Sequence, residues 1–177
     1  MRKSEAYPVL FLTFVVLVSV VVLTLTNSIT RDKIALAKKQ AVAEMLSALF
    51  PHMDSFAYDD KTGTYTILAD KTTIGYAFTA EGRGYGGPID ILIGLKPDNK
   101  TLQGIRIISQ QETPGLGAKI VEASFLDQFS GITVDQVKLA RNGGKIDAIT
   151  GATISSTAVV KGVRNAIEQR LGKGGTG

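Results

Sequence analysis

The 177-residue sequence contains no cysteine. That absence excludes disulfides, thiolate metal sites, iron–sulfur clusters and cysteine nucleophiles. Histidine is nearly as scarce, with His52 standing alone. A multi-His metal centre is therefore excluded, and a Ser-His-Asp hydrolase would have to use this one residue, beside Pro51 at a predicted helix end. No run of Lys and Arg with interleaved aromatics occurs after residue 50, which argues against nucleic-acid binding. The net charge of +4 gathers near the N-terminus, where Arg2, Lys3, Arg31, Lys33, Lys38 and Lys39 outnumber Glu5, Asp32 and Glu44. The remainder is close to neutral, so the basic balance marks a membrane flank. No G-x-G-x-x-G joins a predicted strand to a predicted helix, which leaves no Rossmann site for a nicotinamide cofactor. The terminal "GKGGTG" lacks both Walker A spacing and a preceding strand.

What the sequence does have is one long apolar run. "YPVLFLTFVVLVSVVVLTLTNS" carries no charge between Glu5 and Arg31. About 20 apolar residues match the bilayer's hydrocarbon thickness as a helix. The many Val residues do not oppose this, because lipid offers the backbone no other partner. A cleaved signal peptide is the competing reading. The length of the run and the absence of a small-x-small cleavage pattern favour a retained anchor. Two basic residues precede the run and four follow soon after, so charge alone leans toward a cytoplasmic domain.

The organisation expected is a tail and membrane helix over 1–30, a connecting amphipathic helix over 31–50, a folded domain over 51–171 and a disordered tail over 172–177. Ile34, Leu36, Ala37, Ala41, Val42, Met45, Leu46 and Leu49 recur at helical spacing before Pro51. Short β-like runs follow: "TYTILA" (64–69), "TIGYAFTA" (73–80), "IDILIGL" (89–95) and "GIRIIS" (104–109). The last two flank the turn-rich "KPDNKTLQ" and read as a hairpin. "KIVEASFLDQF" (119–129) reads as a short amphipathic helix. "VKLA" (137–140) and the strand-like "KIDAI" (145–149) bracket the turn "RNGG". Residues 156–171 place Val159, Val160, Val163, Ile167 and Leu171 at helical spacing. The fold class expected is α+β with a largely antiparallel sheet, on one membrane helix.

Three loops carry chemistry. "EGRGYGGP" (81–88) is dense in glycine, which permits tight turns or close approach to a ligand. Tyr85 is its large side chain and could cover a flat ligand or simply pack. "QETPGLGAKI" (111–120) fixes a turn at Thr113-Pro114-Gly115 and holds Leu116 between two glycines. That arrangement suits an apolar wall beside backbone N–H groups, with Glu112 placed to accept hydrogen bonds. A hairpin exit with helix-capping chemistry explains the same residues. "DAITGATISST" (147–157) places Thr150, Thr153, Ser155, Ser156 and Thr157 around Gly151 and Ala152 at a turn into a helix. A helix N-terminus suits a phosphate. An N-cap needs one hydroxyl, which Ser155 or Ser156 could supply, and the others stay unexplained.

"D-A-I-T-G-A-T" resembles the signature Asp-x-x-(Ser/Thr)-Gly-Ala-Thr of the FMN-binding domains in the RnfG component of the Rnf complex and the NqrC component of the sodium-translocating NADH:quinone reductase. "GYGGPI" and "ETPGLGAKI" resemble that family's other blocks, in the same order behind one N-terminal helix, over nearly the full length. The short chain is closer to RnfG. The resemblance implies FMN joined through its phosphate to the hydroxyl of Thr153, with Asp147 and Thr150 at the other marked positions. It further implies a flavin site that includes Tyr85, Glu112, Thr113, Leu116, Gly117, Gly151, Ala152 and Ser155. A hydroxyl linkage agrees with the absence of Cys. A separate Mg-dependent flavin transferase, with FAD as donor, would make the bond, and Asp147 could be read by that enzyme. The implied role is an electron carrier among integral-membrane and redox partners of an Rnf-type complex that couples ferredoxin oxidation and NAD reduction to ion transport. The flavin domain would lie on the extracytoplasmic side of the cell membrane. A flavinylated domain serving another electron-transfer system, and a membrane-anchored sensor or assembly module without flavin, remain open on the residues alone.

Overall fold

The computed structural model describes the backbone of residues 6–173 and the side chains of residues 7–24 and 40–172. Two compact units divide the chain, residues 1–41 and 42–177. One helix, α1 (Ala6–Leu49), begins in the first and ends in the second. Within the first unit, Tyr7–Thr24 has a mean hydropathy of 2.5 and none of it is buried, so it is long and apolar enough to cross a membrane. Its Ser and Thr hydroxyls are satisfied within the helix. Thr13, Ser19 and Thr24 donate to the carbonyls of Val9, Val15 and Val20 at 2.8, 2.8 and 2.7 Å.

The second unit is built on a five-stranded antiparallel sheet in sequential order: β1 (Ser55–Asp59), β2 (Thr64–Ala69), β3 (Thr72–Arg83), β4 (Pro88–Leu95) and β5 (Leu102–Ser109). The expected β4–β5 hairpin is present, with Ile93 opposite Ile105. Alternation along β4 sorts its side chains between two cores. Ile89, Ile91, Ile93 and Leu95 join the larger core under α3 (Thr153–Lys173), while Leu92 joins a smaller one under the end of α1. A central strand covered on both faces therefore reads as continuously apolar. The smaller core contains Leu46, Leu49 and Phe50 with Ile67 and Ala77. Phe50 fits there because Gly75 has no side chain; a Cβ at Gly75 would strike the ring.

Two glycines set the position of α3. A Cβ on Gly82 would meet the Ala158 carbonyl at 2.5 Å, and one on Gly162 would meet the Glu81 carbonyl at 3.0 Å. Helix backbone thus lies directly on β3 and carries its N-terminus to the loop that leaves that strand. Between β5 and α3 the chain is mostly irregular. Residues 119–129 do not form the single helix expected. A 3-10 turn (Gly117–Val121), one α-turn labelled α2 (Ala123–Leu126) and a second 3-10 turn (Asp127–Phe129) follow one another. Ile120, Phe125, Leu126 and Phe129 still bury as a helical stripe would.

"KIDAI" is not a strand either. A single bridge pairs Leu139 with Ile146, and the Gln128 side chain takes the place of the next strand. Its Oε1 accepts the Asp147 N–H at 2.6 Å, and its Nε2 donates to the Asp147 carbonyl at 3.5 Å. Helix α3 starts at Thr153, three residues before the stretch expected to be helical, and continues to Lys173. Leu171 is exposed at its last turn. The start of the expected leading tail, residues 1–5, and the rest of the expected C-terminal tail, residues 174–177, lie outside the described residues.

Candidate functional site

The three glycine-bearing loops converge at the N-terminus of α3. Each is shaped by its own sequence. In the second loop Thr113, Pro114 and Gly115 make a tight turn, with Leu116 N–H on the Thr113 carbonyl at 3.2 Å and Gly115 at φ +76°. The third loop repeats the device. Ala152 N–H reaches the Ile149 carbonyl at 2.9 Å across Thr150 and Gly151, and Gly151 has φ +78°. This turn delivers the chain into α3 without a strand before it.

Five hydroxyls crowd this stretch, and three are engaged. Ser156 Oγ accepts the Ile149 N–H and donates to the Ala152 carbonyl, both at 3.0 Å, which closes the turn. Thr157 donates to the Thr153 carbonyl at 2.6 Å. Ser155 is buried and donates to Glu112. Thr150 and Thr153 are exposed, and among the described residues their hydroxyls have no partner. The N–H groups of Thr153, Ile154 and Ser155 also have no acceptor among the described residues, and no acidic residue occupies the first turn. The positive end of α3 is thus open toward solvent.

A cavity of about 490 Å³ opens here, lined by Tyr85, Glu112, Thr113, Leu116, Gly117 and Gly151–Ser155. It gathers most of the residues singled out in the sequence. Asp147 and Thr150 do not line it: Asp147 precedes the turn that enters it, and Thr150 is the second residue of that turn. Ile154 lines it and was not foreseen. Set among hydroxyls at the start of a helix, its single apolar side chain gives no periodicity to read. Tyr85, Leu116 and Ile154 are 73%, 47% and 57% exposed, an apolar rim on a small domain. Glu112 is buried. Burial pushes its carboxyl up, but hydrogen bonds from Ser155, Gly86, Tyr85 and Gly87 outweigh this and hold it below the ordinary carboxylate value.

A larger cavity, about 770 Å³, lies toward the other end of α3, between Lys61, Phe78, Asn99 and Arg170. Arg170 there sits 4.9 Å over the Phe78 ring and donates to Thr64. Size favours this cavity, but chemistry favours the smaller one. Only the smaller combines an open helix N-terminus, a free hydroxyl and apolar walls. That combination suits a planar ring bearing a phosphate. Among the described residues, no cluster of three His, Asp or Glu could hold a metal ion.

The class of protein follows from sequence comparison at this site: residues 84–168 match the FMN-binding domain family. Relatives extend the likeness to nearly the whole chain. The G subunit of the proton-translocating ferredoxin:NAD(+) oxidoreductase complex of Clostridium ljungdahlii is 35% identical over 162 residues, covering 89% of this chain and 87% of that protein. The G subunit of an ion-translocating oxidoreductase complex from Methanosarcina acetivorans is 32% identical, over 95% of this chain and 96% of that protein. This chain belongs to the family of G subunits of Rnf-type ion-translocating oxidoreductase complexes. Its α+β fold resembles the C subunit of the Na(+)-translocating NADH-quinone reductase of Parabacteroides distasonis, with a TM-score of 0.54 and 26% identity over 61% of this chain and 60% of that one. The NqrC protein of Shewanella oneidensis, 17% identical over 70% of this chain and 73% of that one, with a TM-score of 0.51, shares the fold.

Proposed function

We propose that this chain is the membrane-anchored electron carrier of an Rnf-type complex, with FMN held in the smaller cavity as a phosphoester of Thr153. The observation that carries this reading is the exposed Thr153 hydroxyl at the open N-terminus of α3, beside a cavity with apolar walls. The free N–H groups of Thr153, Ile154 and Ser155 would receive the phosphate, and the helix dipole favours its charge. Gly151 and Ala152 keep the approach clear of bulk. Tyr85, Leu116 and Ile154 would flank the ring system and shield it from water. FMN, when bound, supplies one-electron transfer between neighbouring redox subunits.

Formation of the tether needs help from outside the chain. A Thr hydroxyl is a weak nucleophile without a base. Glu112 is the one carboxylate lining the cavity, and its oxygens are already hydrogen-bonded. A separate transferase would join Thr153 Oγ1 to the FMN phosphorus of FAD and release AMP. Membrane anchoring is assigned to Tyr7–Thr24, with the other complex subunits as partners and the flavin domain outside the cytoplasm, where a covalent tether prevents loss of the cofactor. Mass spectrometry of the chain from its native membrane tests the linkage. An FMN-phosphoryl adduct on Thr153, absent in Thr153→Ala, is the expected result; an unmodified Thr153 in a host with the transferase removes the covalent carrier.

A further inference from the structure

We propose that Glu112 is an internal strut that forms the cavity before any flavin arrives, and that it is not itself a flavin ligand. The proposal rests on the FMN reading of this site and deepens it. Both carboxylate oxygens are consumed inside the protein. Oε1 accepts the Gly86 N–H at 2.9 Å. Oε2 accepts the Tyr85 N–H at 3.3 Å and the Ser155 hydroxyl. One side chain therefore joins the loop after β3, the loop after β5 and the first turn of α3. These are the three segments that line the cavity; Tyr85 and Ser155 stand 27 and 43 residues from Glu112 in sequence.

The glycines around it are the second observation. A Cβ on Gly84 would collide with Oε1, and one on Gly117 would stand 2.8 Å from Oε2 and 2.6 Å from Ser155 Oγ. Two neighbours thus lack side chains where the carboxylate sits. The sequence motif is legible in these terms: the glycines vacate space for the strut, and the strut exposes Tyr85 and Leu116 at the rim. A buried charge held by several donors is rigid, because removing any donor leaves part of it unsatisfied. The Ser155 hydroxyl points to Glu112, so the phosphate is left with the backbone N–H groups and Thr153.

The charge environment is simple. Among the residues lining the cavity, Glu112 is the only carboxylate and Tyr85 the only other titratable group. Arg83 and Lys119 flank the loops, and among the described residues the ion pair is Arg164 with Glu168. The folded-state carboxyl lies below its ordinary value. Its contribution to stability is therefore present above the unfolded value, about 4.3 for Glu, and is lost as pH falls through the folded one. At neutral pH the strut is fully engaged, and it is no physiological pH switch.

The test is NMR of the full-length, flavin-free chain in detergent micelles, as wild type, Glu112→Gln, Glu112→Ala and Ser155→Ala. The amide protons of Tyr85 and Gly86 are expected to titrate together at a midpoint below that of an ordinary Glu. Glu112→Gln should abolish that titration and keep the cavity. Glu112→Ala should scatter the amide signals of residues 84–87 and 153–155 while core signals stay dispersed. Flavin capture by Glu112→Ala should fall about tenfold or more, as loss of pre-organisation does, and Glu112→Gln should recover most of it. Tyr85 and Gly86 amides that ignore Glu112→Gln, in a chain that still loads flavin normally, overturn the strut and leave the FMN reading standing. Amides that respond as expected in a chain that never carries flavin keep the strut and overturn the FMN reading.

Discussion

Gly117→Ala adds one methyl group at the most crowded point of the site. The new Cβ would lie 2.6 Å from Ser155 Oγ, 2.8 Å from Glu112 Oε2 and 2.9 Å from Glu112 Cβ. All three distances are well inside ordinary van der Waals contact, and two of the three atoms belong to the buried hydrogen bond between Glu112 and Ser155. Overpacking of this kind costs about 1–3 kcal/mol. At roughly 2–4 °C per kcal/mol for a domain of this size, the melting temperature should fall by roughly 2–12 °C. Calorimetry of the full chain in detergent, without flavin, measures it. Gly115→Ala is the control. It has φ +76° and nothing within 4 Å, so its cost is backbone strain alone, roughly 1–2 kcal/mol. Ser155→Ala separates the two. It removes the oxygen that the methyl group added at position 117 would strike, so the two changes should cost less together than their sum, by about 0.5 kcal/mol or more. The same Ser155 change should add fully to Gly115→Ala. Strict additivity with Gly117→Ala, or no loss of stability, refutes the steric reasoning.

Other expectations follow from single contacts. Phe50→Ala empties the space over Gly75 and Gly94, and should cost about 3–5 kcal/mol by denaturant titration. Asp98 accepts hydrogen bonds from the Thr101 hydroxyl and from the N–H groups of Lys100 and Thr101, which together lower its carboxyl to about 2. That stabilisation is present above the unfolded value and is lost as pH falls toward about 2; carboxyl NMR should show this midpoint, and Thr101→Val should raise it. The cysteine-free sequence permits a single label. Lys100→Cys, at an exposed turn, should react with a membrane-impermeant maleimide on intact cells if the flavin domain lies outside, and only after lysis if it lies within.

The parts of the fold that are legible in the sequence are those whose pattern is set by burial. The runs at 64–69, 73–80, 89–95 and 104–109 become β2 to β5 because their apolar residues meet cores on one or both faces. Strand β1 escapes such a reading because every residue in it is exposed; the Phe56 and Tyr58 rings pack on the Tyr65 ring, at 5.8 and 4.6 Å, and not in a core. "KIDAI" misleads for the opposite reason. Ile146 is buried like a strand residue, yet the backbone partner of Asp147 is the side chain of Gln128, which no period in the sequence reveals. The start of α3 is hidden because Thr153, Ser155 and Ser156 carry no apolar signal. At the site, glycine density marks the right loops. The purpose of Gly84 and Gly117 is not legible, since it depends on Glu112, which lies 28 residues and 5 residues away in the chain.

Peptide mass spectrometry can show directly whether Thr153 carries the flavin. The chain is purified from its native membrane, digested, and the peptide spanning residues 146–161 is sequenced by fragmentation. A mass increment of one FMN-phosphoryl group is expected, localised to Thr153 and absent in Thr153→Ala. An increment on Thr150, Ser155, Ser156 or Thr157 would contradict the assignment of the free hydroxyl at the head of α3. No increment on any of them, in a host that flavinylates other proteins, would contradict the covalent carrier itself.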